Sequence, residues 1–394
     1  YSRRRDAIIE LMKYPIFHSA DVNIEDHFIG RYLDYYADEL IDTPVLHKAY
    51  GDIELDIFEI EGFPDPEKAE APIDLMTVYS DKSNELWTYA LRNNNNPLIK
   101  KFEDDLENFK QEMCERFALN NYEVIFYDDE VNLIKAYFKR IHHIKADFIG
   151  FWNLVNFDYA YIKNRFEYLT GKSVTRLICP PKGSIERPDA YFPYVNVTSY
   201  EDNRSKEWST KTSYLRATGW TNWIDLLVMY ANLRSNFGKK DDYSLDAIAL
   251  EELGEGKDEV IESMRLFSRS NYRKYVEYNC TDVMRLHQLE CKTKDIDLLY
   301  KLAITTRTRV QKAWRKTISL RNMASKFMLE EGFICSNNKN LNVVRGKEAK
   351  FKGAFVADPC LNDFEGVKIL NKRSNKIFNN VADLDLLSLN LQHY

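Results

Sequence analysis

The stretch KAYGDIELDIFEI, residues 48–60, alternates apolar and polar side chains as a half-buried β-strand does. Because successive side chains of a strand point to opposite faces, Asp52 and Glu54 point to the same face. The stretches PIDLMTVYS (72–80) and ELWTYALR (85–92) continue this pattern, with turn residues between them. The sequence therefore predicts a sheet whose first strand carries two carboxylates on one face.

Two more acidic positions lie further along the chain. Asp158 stands between a predicted strand, ADFIGFWN, and a predicted helix, YAYIKNRFEYL. Tyr278 and Asp282 are four residues apart in the helical stretch YVEYNCTDVMRL, so the phenol and the carboxylate share a helix face. Carboxylates without a nearby His or Cys favour Mg²⁺ or Mn²⁺ over Zn²⁺.

Two such ions side by side stabilise the attacking and leaving oxygens of phosphodiester hydrolysis, and a tyrosine hydroxyl can orient the attacking water. The predicted metal ligands are Asp52, Glu54, Asp158 and Asp282, and Tyr278 completes the predicted catalytic set.

Three motifs in this order resemble a known family. They are DIE (52–54), N-x-x-x-F-D (153–158) and Y-x-x-x-D (278–282), which resemble the proofreading exonuclease motifs of family B DNA polymerases of the tailed-bacteriophage type. A D-x-E triplet alone occurs by chance in most proteins, whereas three motifs in order make chance a poor explanation. The flanks GFPDPEKAEAPIDLMTVY, WIDLLVMYANLR and DDYSLDAIALEELGEGKDE resemble the family too, and the resemblance spans about residues 17–389.

The resemblance implies an α/β fold of the ribonuclease-H-like 3′→5′ exonuclease type, a mixed sheet flanked by helices. Periodicity alone gives only α/β. Residues 1–47 would then end an N-terminal domain, 48–331 would form the exonuclease domain with a hairpin or ribbon inserted at about 174–218, and 332–394 would be a linker and the start of a polymerase palm. The predicted helices are two within 1–47, then 100–119, 129–143, 159–169, 223–234, 244–253, 258–268, 270–291 and 294–331.

The family also implies DNA contacts. Its second exonuclease motif implies Asn153 and Phe157 as DNA-binding residues, and FKGAFVADP resembles the Y-x-G-G/A segment that contacts the template strand. That segment implies DNA contacts by Phe351, Gly353 and Ala354.

The stretch VADLDLLSLNLQHY resembles the first polymerase motif, with Asp385 as an expected metal ligand and Asn390 where the motif has a Tyr. One carboxylate cannot hold two ions, so we expect a polymerase fragment that does not synthesise DNA by itself. The expected partners are a DNA 3′ end or primer-template, a separate chain carrying the rest of the polymerase, and a sliding clamp.

Composition places the chain among soluble globular proteins. The 394 residues are 44% hydrophobic and 29% charged, as in soluble globular proteins, and no run of about twenty apolar residues predicts a membrane span. The six Cys include no C-x-x-C pair, which favours reduced thiols. We expect a cytoplasmic protein, in the host cytoplasm if phage-encoded.

The net charge is −6, so any DNA-binding surface must be local. Residues 298–329 contain no acidic side chain. The stretch is either a solvated helix face or a stripe that contacts phosphates, and both alternatives stay open. Its basic residues are Lys301, Arg307, Arg309, Lys312, Arg315, Lys316, Arg321 and Lys326.

Alternatives remain for the acidic residues and for the function. Glu59 and Glu61 have the same spacing as Asp52 and Glu54, which we prefer because they follow an apolar strand start. Taken singly, each acidic residue has an ordinary alternative: a solvated position at a strand edge, a position near a helix N-terminus where it interacts with the helix dipole, or a position on a helix surface. The other function classes are a non-catalytic DNA-binding half of a split polymerase and a stand-alone ribonuclease-H-like repair nuclease.

Overall fold

The computed structural model of the protein describes residues 24–36, 44–60, 62–93, 96–198, 208, 211, 213–254 and 264–332. The strands are β1 Lys48–Leu55, β2 Ile73–Ser80, β3 Glu85–Leu91, β4 Asn121–Tyr127, β5 Phe148–Phe151, β6 Val195–Thr198, β7 Tyr214–Ala217 and β8 Asn222–Asp225. The helices are α1 Ile24–Tyr35, α2 Pro97–Asp104, α3 Leu106–Phe117, α4 Glu130–Ile144, α5 Asp158–Thr170, α6 Thr175–Ile178, α7 Leu226–Leu233, α8 Leu245–Leu253, α9 Met264–Ser270, α10 Tyr272–Thr293, α11 Asp295–Thr306 and α12 Lys316–Glu330.

Six strands form a mixed sheet in the order β4-β3-β2-β1-β5-β8. Strand β2 is antiparallel to β1 and β3, whereas the pairs β3–β4, β1–β5 and β5–β8 are parallel. Strand β1 therefore lies inside the sheet, between β2 and β5. The predicted α/β fold with a mixed sheet and flanking helices is confirmed.

Each face of the sheet has its own core. Tyr50 of β1 and Leu75 of β2 pack on the face that also buries α10 side chains, whereas Ile53 and Val78 pack on the opposite face with α4 and α5. Burying one such side chain contributes about 1.5–3 kcal/mol. Because Asp52 and Glu54 alternate with Ile53, they share the α10 face with Tyr50.

Gly51 lies against the core on the face of the sheet that packs with α4 and α5. A Cβ at this position would lie 2.5 Å from the Tyr137 hydroxyl and 2.6 Å from Cζ of Phe151. Tyr137 is buried, and its hydroxyl donates to the carbonyl of Thr77 on β2 at 3.3 Å. Two aromatic rings thus fill the space that a larger residue 51 would occupy, and only glycine fits here.

Helix α10 has clear ends. It begins at Tyr272, where the Asn271 side chain accepts a hydrogen bond from Lys274 N, and it ends before Lys294, which adopts φ +55°. Its 22 residues give a length of about 33 Å. One helix is therefore long enough to run alongside all of β1.

Two predicted helices are wrong in part. The predicted helix 223–234 begins as strand β8, because residues 222–225 pair with β5, and only Leu226–Leu233 is helical. The predicted helix 294–331 breaks after Thr306, where Arg307 adopts a left-handed φ of +53°.

Other elements follow prediction more closely. The predicted helix 100–119 divides at Asp105 into α2 and α3. The ribbon predicted at about 174–218 contains the antiparallel pair β6–β7. The predicted helix within 1–23, the start of the helix predicted at 258–268, and Phe351, Gly353, Ala354 and Asp385 lie outside the described residues.

Some of the basic stretch at 298–329 serves tertiary structure. Arg307 pairs with Asp34 of α1, and Arg309 pairs with Glu25 of the same helix. These two arginines therefore act in ion pairs within the chain, which neither of the two open alternatives anticipated. Among the described residues, each helix is too short or too polar to cross a membrane.

Candidate active site

Strand β1 and helix α10 bring three acidic side chains together. Asp52 and Glu54 of β1 and Asp282 of α10 each offer a carboxylate oxygen, and these oxygens lie within 4.8 Å of one another. We call these three residues the carboxylate cluster. Asp282 is buried, and the other two are half-buried.

Hydrogen bonds join the two elements beside the cluster. Asn279 Nδ2 of α10 donates to Asp52 Oδ2 at 2.7 Å, and the Tyr275 hydroxyl donates to the carbonyl of Leu55 at 3.3 Å. Both α10 residues are buried. The position of the helix along β1 is therefore fixed on either side of Glu54.

The cluster concentrates negative charge. Two unit charges 4.8 Å apart repel by about 3 kcal/mol at an effective dielectric constant of 20. Arg285 offsets part of this, with Nη1 at 3.6 Å from Asp282 Oδ1, but the same nitrogen lies 3.9 Å from Asp246 Oδ1. Arg285 is thus shared between Asp282 of the cluster and Asp246 of α8.

Asp158 lies apart from the three clustered oxygens, as the first residue of α5. The pKa of Asp158 is raised to about 7, mainly by burial and in part by the charge of Asp225, although a backbone hydrogen bond acts to lower it. Burial raises the pKa of Tyr137, and the charges of Asp158 and Asp52 add to that rise. Asp158 and Asp52 therefore both lie within electrostatic reach of one buried hydroxyl.

Asp225 holds the segment that leads to Asp158. It ends β8, and its two carboxylate oxygens accept hydrogen bonds from Val155 N at 3.1 Å and from Val228 N at 3.2 Å. Asp225 thus caps α7 and fixes the loop before α5. Its side chain is buried, and burial raises its pKa to about 7.

Tyr278 is half-buried on α10, four residues before Asp282, with its ring edge-on to Phe267 at a centroid distance of 5.8 Å. Because α10 is a regular helix here, Tyr278 and Asp282 lie on the same face of it, as the spacing predicts.

Two of the predicted DNA-contact residues, Asn153 and Phe157, lie in the loop before α5, and Phe157 is the last residue of this loop. Asn153 Oδ1 accepts a hydrogen bond from Asn156 at 3.2 Å. Phe157 is half-buried, and its ring centroid lies 5.5 Å from that of Phe63, which is 81% exposed. An aromatic pair, with one exposed ring and one half-buried ring, therefore lies directly beside Asp158.

Comparison with known proteins gives the family. The profile of the DNA polymerase family B exonuclease domain matches residues 38–204. The chain is 21% identical over 318 residues to the DNA-directed DNA polymerase of Escherichia phage RB69, covering 80% of this chain and 33% of that protein. It is 22% identical over 295 residues to the DNA-directed DNA polymerase of Enterobacteria phage T4, covering 72% of this chain and 30% of that protein.

Residues 38–204 are similar to the exonuclease domain of family B DNA polymerases. The chain spans about a third of the length of the two phage relatives. The resemblance seen in the three sequence motifs is thereby confirmed, and with it the phage type of the family.

An exonuclease domain of this family implies divalent metal use, and the carboxylate cluster fits that requirement. Its donors are carboxylate oxygens, the ligand type that Mg²⁺, Mn²⁺ and Ca²⁺ prefer. No His or Cys belongs to the cluster within the described residues, which disfavours zinc. A divalent cation would also relieve the repulsion within the cluster.

Sequence reasoning missed three residues of this exonuclease domain. Asn279 stood inside the quoted third motif, but only the contact with Asp52 shows its use. Asp225 stood in a predicted helix, and its capping pattern before an apolar run was the available signal. Tyr137 gave no signal, because nothing in its helical stretch indicates that its hydroxyl contacts Thr77 of β2, 60 residues earlier in the chain.

Proposed function

We propose that this chain is a 3′→5′ exodeoxyribonuclease, the proofreading part of a family B DNA polymerase. The observation that carries the proposal is the carboxylate cluster, with oxygens from two elements within 4.8 Å. Two of its three residues, Asp52 and Glu54, lie within residues 38–204, which match the exonuclease domain of that family.

We further propose Mg²⁺ or Mn²⁺, two ions, as the cofactor. Such a pair, when bound, supplies charge stabilisation to the attacking and leaving oxygens of the phosphodiester. Asp52, Glu54 and Asp282 would hold it, with Asp158 as a fourth ligand. A bound cation favours the ionised form of a buried carboxyl such as Asp158.

The remaining residues would position the substrate and the water. The Tyr278 hydroxyl would orient the attacking water by a hydrogen bond, a task that needs no bond to a cation. Phe63 and Phe157 offer aromatic faces on which bases of a single strand can stack, and such stacking contributes about 1–3 kcal/mol per base. Asn153, in the same loop, would contact the strand by hydrogen bonding.

The wider role remains a proposal as well. The two phage relatives are named DNA-directed DNA polymerases, and we propose that this domain, bounded by residues 48–331, proofreads for such an enzyme. Its partners would be a primer-template, the rest of the polymerase and a sliding clamp, in the cytoplasm of the cell. Residues 332–394 would begin the palm, with template contacts by Phe351, Gly353 and Ala354 and with Asp385 as a polymerase ligand.

A single-stranded DNA labelled at its 5′ end tests the activity. With Mg²⁺ we expect a ladder that shortens one nucleotide at a time from the 3′ end, and EDTA should stop it. A strand whose last 3′ linkage is a phosphorothioate should resist. Internal cuts as the main product, or an intact strand in Mg²⁺ and in Mn²⁺, would contradict the proposed function.

A further inference from the structure

Asn279 is a fully buried amide in the wall of the carboxylate cluster. It follows Tyr278 and lies three residues before Asp282, so it faces the cluster from the same side of α10. Its Nδ2 donates to Asp52 Oδ2 at 2.7 Å. Its own Oδ1 is buried and accepts no hydrogen bond from the part of the chain that the structure describes.

The contact restrains Asp52 without neutralising it. A carboxylate that is fixed through one oxygen loses the freedom to rotate, while its second oxygen takes no part in that hydrogen bond. A Lys or Arg in place of Asn279 would make the same hydrogen bond but would add a positive charge beside a site that must attract a cation. The neutral amide restrains the ligand and leaves its full charge available.

The protein tolerates a cost to place this amide. A buried polar atom without a hydrogen bond costs about 1–3 kcal/mol, and Asn279 Oδ1 is such an atom. An apolar side chain would fit a fully buried helix position without that cost. The advantage that offsets the cost must come from Nδ2, whose hydrogen bond goes to Asp52.

We propose that Asn279 is a positioning residue: it holds the Asp52 carboxylate in the orientation that binds the divalent cation. This inference rests on the cation site proposed above. Residues that orient a metal ligand through a hydrogen bond typically contribute 10–100-fold to metal affinity. The contribution is therefore measurable without any nuclease assay.

The test is Mn²⁺ binding to the full chain, followed by electron paramagnetic resonance. The variant Asn279→Ala should bind Mn²⁺ about 10–100-fold more weakly than the wild type. The matched control is Asn322→Ala, because Asn322 is also buried on a helix and donates to Thr308 at 3.0 Å, far along the chain from the cluster. The control should lose a similar amount of thermal stability and keep the wild-type affinity.

A second readout separates positioning from folding. Single-strand cleavage by Asn279→Ala should return to the wild-type kcat at saturating Mn²⁺, with only the cation concentration for half activity raised. The variant Asn279→Ser, which keeps the helix but shortens the donor, should behave in the same way if the alanine variant does not fold.

Each outcome has one meaning. Wild-type affinity in both Asn279 variants would overturn the positioning role while leaving the cation site intact. A kcat that stays low at saturating Mn²⁺ would also overturn it. Wild-type protein that binds no Mn²⁺ would instead overturn the cation site, and with it the proposed function.

Discussion

Strand β1 and helix α10 gather acidic side chains at two places, and the two places handle the charge differently. At the start of β1, the buried Lys48 Nζ lies 2.8 Å from Glu290 Oε1 of α10 and 2.7 Å from Asp297 Oδ1 of α11. In the middle of β1, Asp52 and Glu54 face Asp282, whose Oδ1 lies 3.6 Å from Arg285 Nη1.

The difference separates an acidic group that is paired inside the fold from the acidic group of the proposed cation site. Burial would lower the pKa of Lys48, but Asp297 and Glu290 raise it overall, so this lysine stays charged and the charge is balanced inside the fold. The carboxylate cluster differs in that three acidic side chains meet within 4.8 Å of one another. This cluster is the divalent-cation site proposed above.

Removing the cluster should have the largest effect. The double variant Asp52→Ala, Glu54→Ala should abolish 3′-end cleavage, because two ligands of the cation are lost, while the loss of their mutual repulsion should keep or slightly raise the melting temperature. The ladder assay and a thermal melt measure both. Degradation of single-stranded DNA in Mg²⁺ by this variant would show that the site is assigned to the wrong acids.

Removing the buried lysine should have the opposite pattern, with a loss of stability but no loss of cleavage. Lys48→Met should lower the free energy of unfolding by about 3–5 kcal/mol, because Glu290 and Asp297 then stay without a buried counter-charge. Urea denaturation measures it.

The control for this variant is Lys326→Met, which removes an exposed i, i+4 pair with Glu330 and should cost about 0.5 kcal/mol or less. Folded Lys48→Met should cleave DNA at the wild-type rate per molecule. Equal stability of the two lysine variants would contradict the contrast between the two acidic places.

Asp74 shows a third way to handle a buried acid. Burial raises its pKa from 3.8 to about 8, and the charge of Asp56 contributes. Between these values the folded protein holds a proton that the unfolded chain releases, so stability falls as pH rises through this window. Asp74→Asn should remove that slope, about 1.4 kcal/mol per pH unit, or about 2–3 kcal/mol between pH 5 and 7.

Urea denaturation at pH 5, 6 and 7 measures the slope. The exposed change Asp189→Asn serves as the control and should leave the pH dependence of the wild type unaltered. Parallel curves for Asp74→Asn and the wild type would mean that Asp74 is ionised in the folded protein.

Tyr278→Phe should have the smallest of these effects. It removes a hydroxyl that orients water and leaves every carboxylate in place, so cleavage should slow by about 100-fold or less. Single-turnover cleavage rates of Tyr278→Phe, compared with those of Asp282→Ala and of the wild type, measure this effect. A loss as complete as that of Asp282→Ala would assign Tyr278 a different role, and an unchanged rate would make it a packing residue.

The sequence predicted the parts of the site that obey local periodicity. Alternation put Asp52 and Glu54 on one face of β1, and helical spacing put Tyr278 beside Asp282 on α10. The start of the helix at Trp223 was wrong because a strand of only four residues inside an apolar run has no period of its own. That strand forms only because β5 lies beside it.

Contacts between distant elements were beyond the sequence. The rings that fill the space at Gly51 come from α4 and β5, and their fit depends on how the sheet is assembled. For the same reason the separation of Asp158 from the clustered oxygens, at the start of α5, could not be predicted.

The short length of β5 has a consequence for the local stability of the site. Strand β1 pairs with β2 from Ala49 to Leu55, but with β5 only from Lys48 to Tyr50. The half of β1 that carries Asp52 and Glu54 is therefore hydrogen-bonded to a neighbouring strand along one edge only. Local unfolding of the sheet should start in this half of β1. A bound cation would link β1 to α10 across this region. Amide hydrogen exchange in residues 51–55 should therefore slow when Mg²⁺ binds, so the exchange rates of these amides report whether the cation site is occupied.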